Sequence, residues 1–283
     1  MSKDKFRIGI VAPANRIEPA LAERAKALAA DAFGPRVELI VHPQCYLADG
    51  HFAGDDEARA SAFLDVANDE NFDALWWARG GYGSNRIADL VLPHLTGAAR
   101  TKIYLGYSDA GFLLAGLYKA GFPHVAHGPM LQDIARDGGE AAVRRALSFL
   151  LDRDSAAVEA NASAERPSAA FNLCVLSHIV GTALMPDLSG HVLMLEEVSE
   201  ELYRIDRSFF HVASAPETRD IAGLRLGRVS DVLPNDPDFG QSEEAIAQHW
   251  CAVSGIAWLG RADIGHDAAN KIVPFGTWPW AAM

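Results

Sequence analysis

The chain has little that would mark it for an oxidising compartment, a membrane or a nucleic acid. Only three of its 283 residues are cysteine, and Cys45, Cys174 and Cys251 lie far apart with no C-x-x-C pair. That excludes a disulfide framework and reads as buried free thiols in a reducing cytoplasm, with a cysteine nucleophile as the alternative. No apolar run approaches the roughly 20 residues of a membrane span. The opening Met1-Ser2-Lys3-Asp4-Lys5 and the apolar residues 6–11 are too short and interrupted for a signal peptide. Basic residues are scarce: 25 Lys and Arg stand against 37 Asp and Glu, a net charge of −12. Nucleic acid and anionic membrane surfaces are therefore poor partners. No H-x-x-x-H pair or Cys/His ligand set stands out, so no metal is expected. There is no internal repeat.

What is present is the material of a globular protein. Hydrophobic residues make up 49% and charged residues 22%, enough for a substantial core in one large domain or two ordinary ones. Strand-like and helix-like stretches alternate: strands over 6–12, 37–41, 74–78 and 102–106 and at Val125, with helices over 19–30, 55–68 and 140–151 and after Ser108. Alternation of this kind predicts a parallel sheet covered by helices on both faces, with the functional site outside the carboxyl ends of its strands. From Arg153 to Ser168 the text turns to Ala, Ser, Asp and Glu and reads as a linker. Beyond it come apolar runs (173–182, 192–195), helical patterns (203–212, 242–253) and short extended pieces (221–229, 257–259, 272–275). The expected organisation is an α/β domain over 1–153, a linker over 154–168 and a smaller, β-rich α+β domain over 169–283.

Two turns fall at the carboxyl edge of the first sheet. Leu105-Gly106-Tyr107-Ser108-Asp109 joins a strand to a helix, where a serine hydroxyl can stand out of the sheet beneath the helix N-terminus. Ala110 replaces the second glycine of G-x-S-x-G, and a plain helix N-cap is the competing reading of Ser108. Arg79-Gly80-Gly81-Tyr82-Gly83-Ser84 follows the third strand. Its glycines let main-chain N–H groups approach an anion, and Arg79 offers a contact to a carboxylate. The spacing fits neither a phosphate-binding loop nor a dinucleotide fingerprint. A tight turn without a ligand, and an internal ion pair for Arg79, are the alternatives. Leu195-Glu196-Glu197-Val198 ends an apolar strand, where a carboxylate can orient an imidazole or lie in a solvated turn. Gly265-His266-Asp267 supplies one histidine, with His124 and His127 as rivals. Trp76 and Trp77 read as core, and Trp278 and Trp280 as packing or an interface.

In this order, the turn at 79–84, Gly106-Tyr107-Ser108-Asp109, His127-Gly128-Pro129-Met130, Gly181-Thr182, Leu195–Val198 with Tyr203–Arg207, and Gly265-His266 with Asn270 and Pro274–Gly276 resemble the LD-carboxypeptidase family of serine peptidases. That family includes muramoyltetrapeptide carboxypeptidases and the microcin C self-immunity peptidases. The resemblance implies a Rossmann-like first domain, a smaller second domain, a homodimer and no cofactor. It implies a triad of Ser108, Glu196 and His266, the last two from the second domain. Main-chain N–H groups of Gly81 and Asp109 are oxyanion candidates, and Arg79 and Tyr82 would contact substrate. The implied activity is cytoplasmic: hydrolysis of the L,D bond to the terminal D-Ala of murein tetrapeptides in cell-wall recycling. Cleavage of a peptidyl-nucleotide antibiotic or another acyl-amide is the alternative. The turn at 79–84 resembles the murein-recycling branch. Ala170-Phe171-Asn172-Leu173 departs from the family's Gly-Gly-Asn-Leu, which bears on specificity.

Overall fold

The computed structural model describes residues 5–280; the ends of the two expected domains, 1–4 and 281–283, lie outside the described residues. The first sheet takes β1 (Phe6–Val11), β2 (Val37–Val41), β3 (Ala74–Trp77), β4 (Ile103–Gly106) and β5 (Val125–His127) in the order 2-1-3-4-5, all parallel. Helices α1 (Pro19–Phe33), α2 (Asp56–Asn68), α3 (Ala88–Val91), α4 (Gly111–Lys119) and α5 (Gly139–Asp152) accompany it. Pro19 opens α1, where a missing N–H costs nothing. Asp55 caps α2 by accepting from the Ala58 N–H at 2.8 Å. The buried Ala74-Leu75-Trp76-Trp77 strand shows why the apolar runs are continuous: both sheet faces are covered. Trp77 packs with Phe63 and Leu113, while Trp76 belongs to the opposite layer with Leu28 and Leu147. Both tryptophans are core, as the sequence indicates.

The second sheet is β6 (Ser168–Asn172), β7 (Val192–Val198), β8 (Gly223–Ser230) and β9 (Trp258–Arg261), in that spatial order. Its helices are α6 (Leu173–Ile179), α7 (Leu202–Ser214) and α8 (Glu243–Ser254). All its pairings are parallel, so this half is more regular than its text suggests. The apolar run 173–182 is a helix capped by Asn172 and then a turn.

One short strand leaves its own half. β10 (Val273–Pro274) joins the first sheet, antiparallel to β5, with Val273 opposite His127. Beside it, Val158 in the connecting segment bridges Ile272, and the Glu159 N–H donates to Ile272 O at 2.8 Å. The hydrophobic layer holding Trp77 also runs on into the second half through Phe171, Leu193, Phe209 and Leu226. Trp278 and Trp280 pack on each other and on Phe149.

Candidate active site

Ser108 ends the β4 turn with φ at +60°, a left-handed backbone that non-glycine residues seldom adopt. The strain points to a function for the residue held there. The N-cap of α4 is Ala110, so Ser108 is not the plain cap of that helix. The Gly80 backbone closes on the serine; a Cβ on Gly80 would lie 3.2 Å from Ser108 Oγ. Asp109, buried, turns its carboxylate back to the glycine turn and accepts from the N–H groups of Gly83 at 3.0 Å and Ser84 at 2.9 Å. Burial pushes the Asp109 carboxyl up, against these bonds, which favour its charged form. Asp109→Ala leaves two buried donors without their acceptor and is expected to cost about 2–5 kcal/mol in a urea unfolding curve.

Arg59 supports the turn from below. Its fully buried guanidinium donates to Gly83 O at 2.9 Å and Gly54 O at 3.3 Å, and also bonds Pro13 O and Asp56. At Gly81 φ is +119°, and a Cβ would lie 2.6 Å from the Asn15 side chain. Only glycine fits that position.

Glu196 is fully buried, and its Oε2 is hydrogen-bonded to His266 Nδ1. Its other oxygen, Oε1, lies 3.9 Å from Nε2 of His127, which is also buried. The pair depends on a register shift between β7 and β8 around Leu195–Glu197. Gly227 on β8 makes room there, since a Cβ on it would stand 3.1 Å from Glu196 Cβ and 2.7 Å from Ile264 O. Burial opposes the Glu196 charge, but His266 and His127 outweigh it and hold the carboxyl down at about 2. Burial also opposes the His266 imidazolium, and the Glu196 carboxylate outweighs it, so the imidazole pKa is raised. The His266 loop is pinned from several sides. Asn270 Oδ1 accepts from the Gly265 N–H at 3.1 Å, Arg228 pairs with Asp267, and Arg145 on α5 donates to the carbonyls of Ala268 and Asn270, both at 2.9 Å. Tyr107 lays its ring against His266, centroids 4.8 Å apart, and its hydroxyl donates to Asp133 at 2.8 Å.

Glu197 is not in a solvated turn either. It is buried and accepts from Asn172 Nδ2 at 2.6 Å, the Cys174 N–H at 2.8 Å and the Val198 N–H at 2.9 Å. Burial and the adjacent Glu196 charge push its carboxyl up to about 7. Cys45 and Cys251 are buried, but Cys174 is only half-buried. Burial raises the Cys174 thiol to about 11 and Cys45 to about 12, which removes the thiolate a cysteine nucleophile needs.

Two cavities meet at Ser108. The larger, about 830 Å³, extends over Tyr82, Phe112, Asn172 and Leu184 to the second half, and Gly81, Ser108 and Asp109 border it. The smaller, about 360 Å³, is bordered by Ser108, His266, Gly81, Arg79 and Arg136. Arg79 is exposed and donates to the main-chain Arg16 O at 3.2 Å rather than to a carboxylate. Tyr82 is 48% exposed on the wall of the larger cleft. The structure thus gathers Ser108, His266, Gly81 and Arg79 at one chamber, with Glu196 behind His266. It leaves His124 away from this group, beside Trp280. Sequence reasoning missed Arg59, Tyr107, Asp133 and Arg136. Tyr107 stood inside a recognised motif; the others carry no motif of their own.

Residues 8–128 match the N-terminal domain of LD-carboxypeptidases, and residues 169–279 match their C-terminal domain. The chain belongs to the LD-carboxypeptidase family. A probable murein peptide carboxypeptidase of Bacillus subtilis is 26% identical, covering 95% of this chain and 86% of its own. The murein tetrapeptide carboxypeptidase of Pseudomonas aeruginosa is 25% identical over 80% of this chain and 78% of its own. The crystal structure of the Oxalobacter formigenes muramoyltetrapeptide carboxypeptidase superposes with a TM-score of 0.78 at 23% identity, covering 95% of this chain and 93% of that one. That likeness establishes the shared LD-carboxypeptidase fold. Among the described residues no helix is long and apolar enough to cross a membrane.

Proposed function

We propose that this chain is a serine carboxypeptidase that cuts the L,D-peptide bond to the terminal D-Ala of murein tetrapeptides, in cytoplasmic cell-wall recycling and as a homodimer. The observation that carries the reading is His266, backed by the buried Glu196, bordering one chamber with a backbone-strained Ser108. His266 takes the Ser108 proton as the hydroxyl attacks the scissile carbonyl. Glu196 holds the imidazole tautomer and stabilises the imidazolium. The N–H groups of Gly81 and Asp109 receive the oxyanion, each worth roughly 3–4 kcal/mol of barrier. His266 then protonates the departing amine, and water releases the acyl group from Ser108.

The charges around the two cavities favour this direction of binding. The larger cleft is bordered by Asp89, Asp109, Glu197 and Glu200 and, among the described residues, by no lysine or arginine. The smaller chamber has Arg79 and Arg136 against Asp133. A C-terminal carboxylate belongs in the smaller one, on the His266 side, where the leaving amine must be protonated. Mass spectrometry of murein tetrapeptide incubated with the protein tests the reading: loss of one D-Ala is expected, and an unchanged peptide rejects it. A peptide amidated at its C-terminus is expected to be cut poorly. Arg79→Ala should lower the rate on the free acid much more than on the amide, whereas equal rates on acid and amide reject Arg79 as the carboxylate anchor. Sedimentation equilibrium checks the dimer.

A further inference from the structure

The smaller chamber has a chemistry of its own beyond the triad. Asp133 is buried at its base, and its carboxylate is fully engaged. It accepts from the Tyr107 hydroxyl, the Met130 N–H and Arg136 Nε, each at 2.8 Å. Arg136 is therefore held in place at Nε, while its side chain remains 40% exposed at the chamber wall. Gln132 borders the same chamber. Among the described residues it is the one bordering side chain with a buried polar atom, Oε1, that lacks a hydrogen-bond partner. A fixed guanidinium suits a carboxylate, and an unsatisfied buried carbonyl oxygen suits an N–H donor.

We propose that this chamber is a receptor for one small free amino acid in its zwitterionic form, with Arg136 joining Arg79 on the carboxylate and Gln132 on the ammonium. The inference rests on the proposed function in one respect: the occupant during turnover is the residue just released. When the acyl C–N bond breaks and the amine takes the proton from His266, the product is already in a site with a guanidinium for its carboxylate and a carbonyl oxygen to accept from its ammonium. Such a site favours a single-residue leaving group, because the carboxylate of a longer leaving peptide lies further from its scissile nitrogen than the border shared by Ser108 and Arg136 accommodates in one small chamber.

The test is binding without turnover. Ser108→Ala protein is titrated calorimetrically with D-alanine, D-alaninamide and N-acetyl-D-alanine. D-alanine is expected to bind in the millimolar range, about 10-fold or more tighter than either analogue. Adding Arg136→Gln should weaken D-alanine several-fold and narrow its advantage over the amide, with Arg79 left as the remaining guanidinium at the chamber. Adding Gln132→Leu, which leaves the Asp133 ion pair alone, should remove its advantage over the acetylated form. The proposal is overturned if D-alanine and D-alaninamide bind alike, if neither Arg136→Gln nor Gln132→Leu changes the ranking in folded protein, or if D-alanine does not bind at tens of millimolar. Failure of the wild-type protein to cut murein tetrapeptide is a separate result that rejects the substrate and leaves these affinities to stand or fall alone.

Discussion

Ser108→Ala abolishes turnover, by about 10⁴-fold or more, because the members of a triad act as a unit. The assay is release of D-Ala from tetrapeptide, with circular dichroism to show the fold intact. A rate within a few fold of wild type sinks the serine mechanism. The backbone adds a second reading of the same position. At φ +60° any side chain is strained, so Ser108→Gly should unfold at higher urea than Ser108→Ala, by about 1 kcal/mol. A serine held against its conformational preference would then be measurable as stability given up for geometry.

Glu196→Gln lowers kcat by about 10⁴-fold, and His266→Ala loses nearly as much as Ser108→Ala. Glu197→Gln costs far less kcat. Its effect falls on stability, because the new amide group points an N–H at donors such as the Cys174 N–H, at about 1–3 kcal/mol. A reversed kcat ranking of the two glutamates transfers the orienting role to Glu197. If His127→Ala is inactive and His266→Ala active, the base is His127 instead. The pH profile checks the pair independently. The base must be neutral in the free enzyme, so kcat/KM falls as pH drops through the His266 pKa. That pKa is raised by Glu196, which places the acid limb above the ordinary imidazole value of about 6.5. Removing the carboxylate leaves burial as the dominant influence, so the residual activity of Glu196→Gln should show an acid limb moved to lower pH. A limb that stays in place would show that Glu196 does not act on the titrating group.

Much of this was legible without coordinates where chemistry is local. The parallel strands of the first sheet announce themselves as unbroken apolar runs, and Ser108 as a strand-to-helix turn. Strand alternation sets Glu196 and Glu197 on opposite sides of β7, and the family resemblance alone singles out Glu196; the sequence had no means of showing that both are buried, since the room for Glu196 depends on Gly227, thirty-odd residues away, and on a register shift. The parallel second sheet was obscured because its strands carry weaker, charge-interrupted runs, such as Gly223–Ser230 with Arg225 and Arg228. β10 is two residues long, one of them a proline, and only its partner β5 makes it a strand. Asp133 owes its role to Tyr107, and Arg59 to Pro13 and Gly83, contacts far along the chain that no periodicity records.

The return of β10 to the first sheet bears on how this molecule can be recombined. A chimera that takes residues up to the connecting segment from one relative and the rest from another also replaces the edge strand against His127 and the loop that Arg145 grips. The two halves therefore do not behave as interchangeable cassettes. A foreign C-terminal half must fit the β5 edge and the α5 arginine of the N-terminal half that receives it before its histidine can reach the serine. Exchanges that keep 264–276 with the N-terminal half should assemble an active centre more often than exchanges made at the apparent boundary.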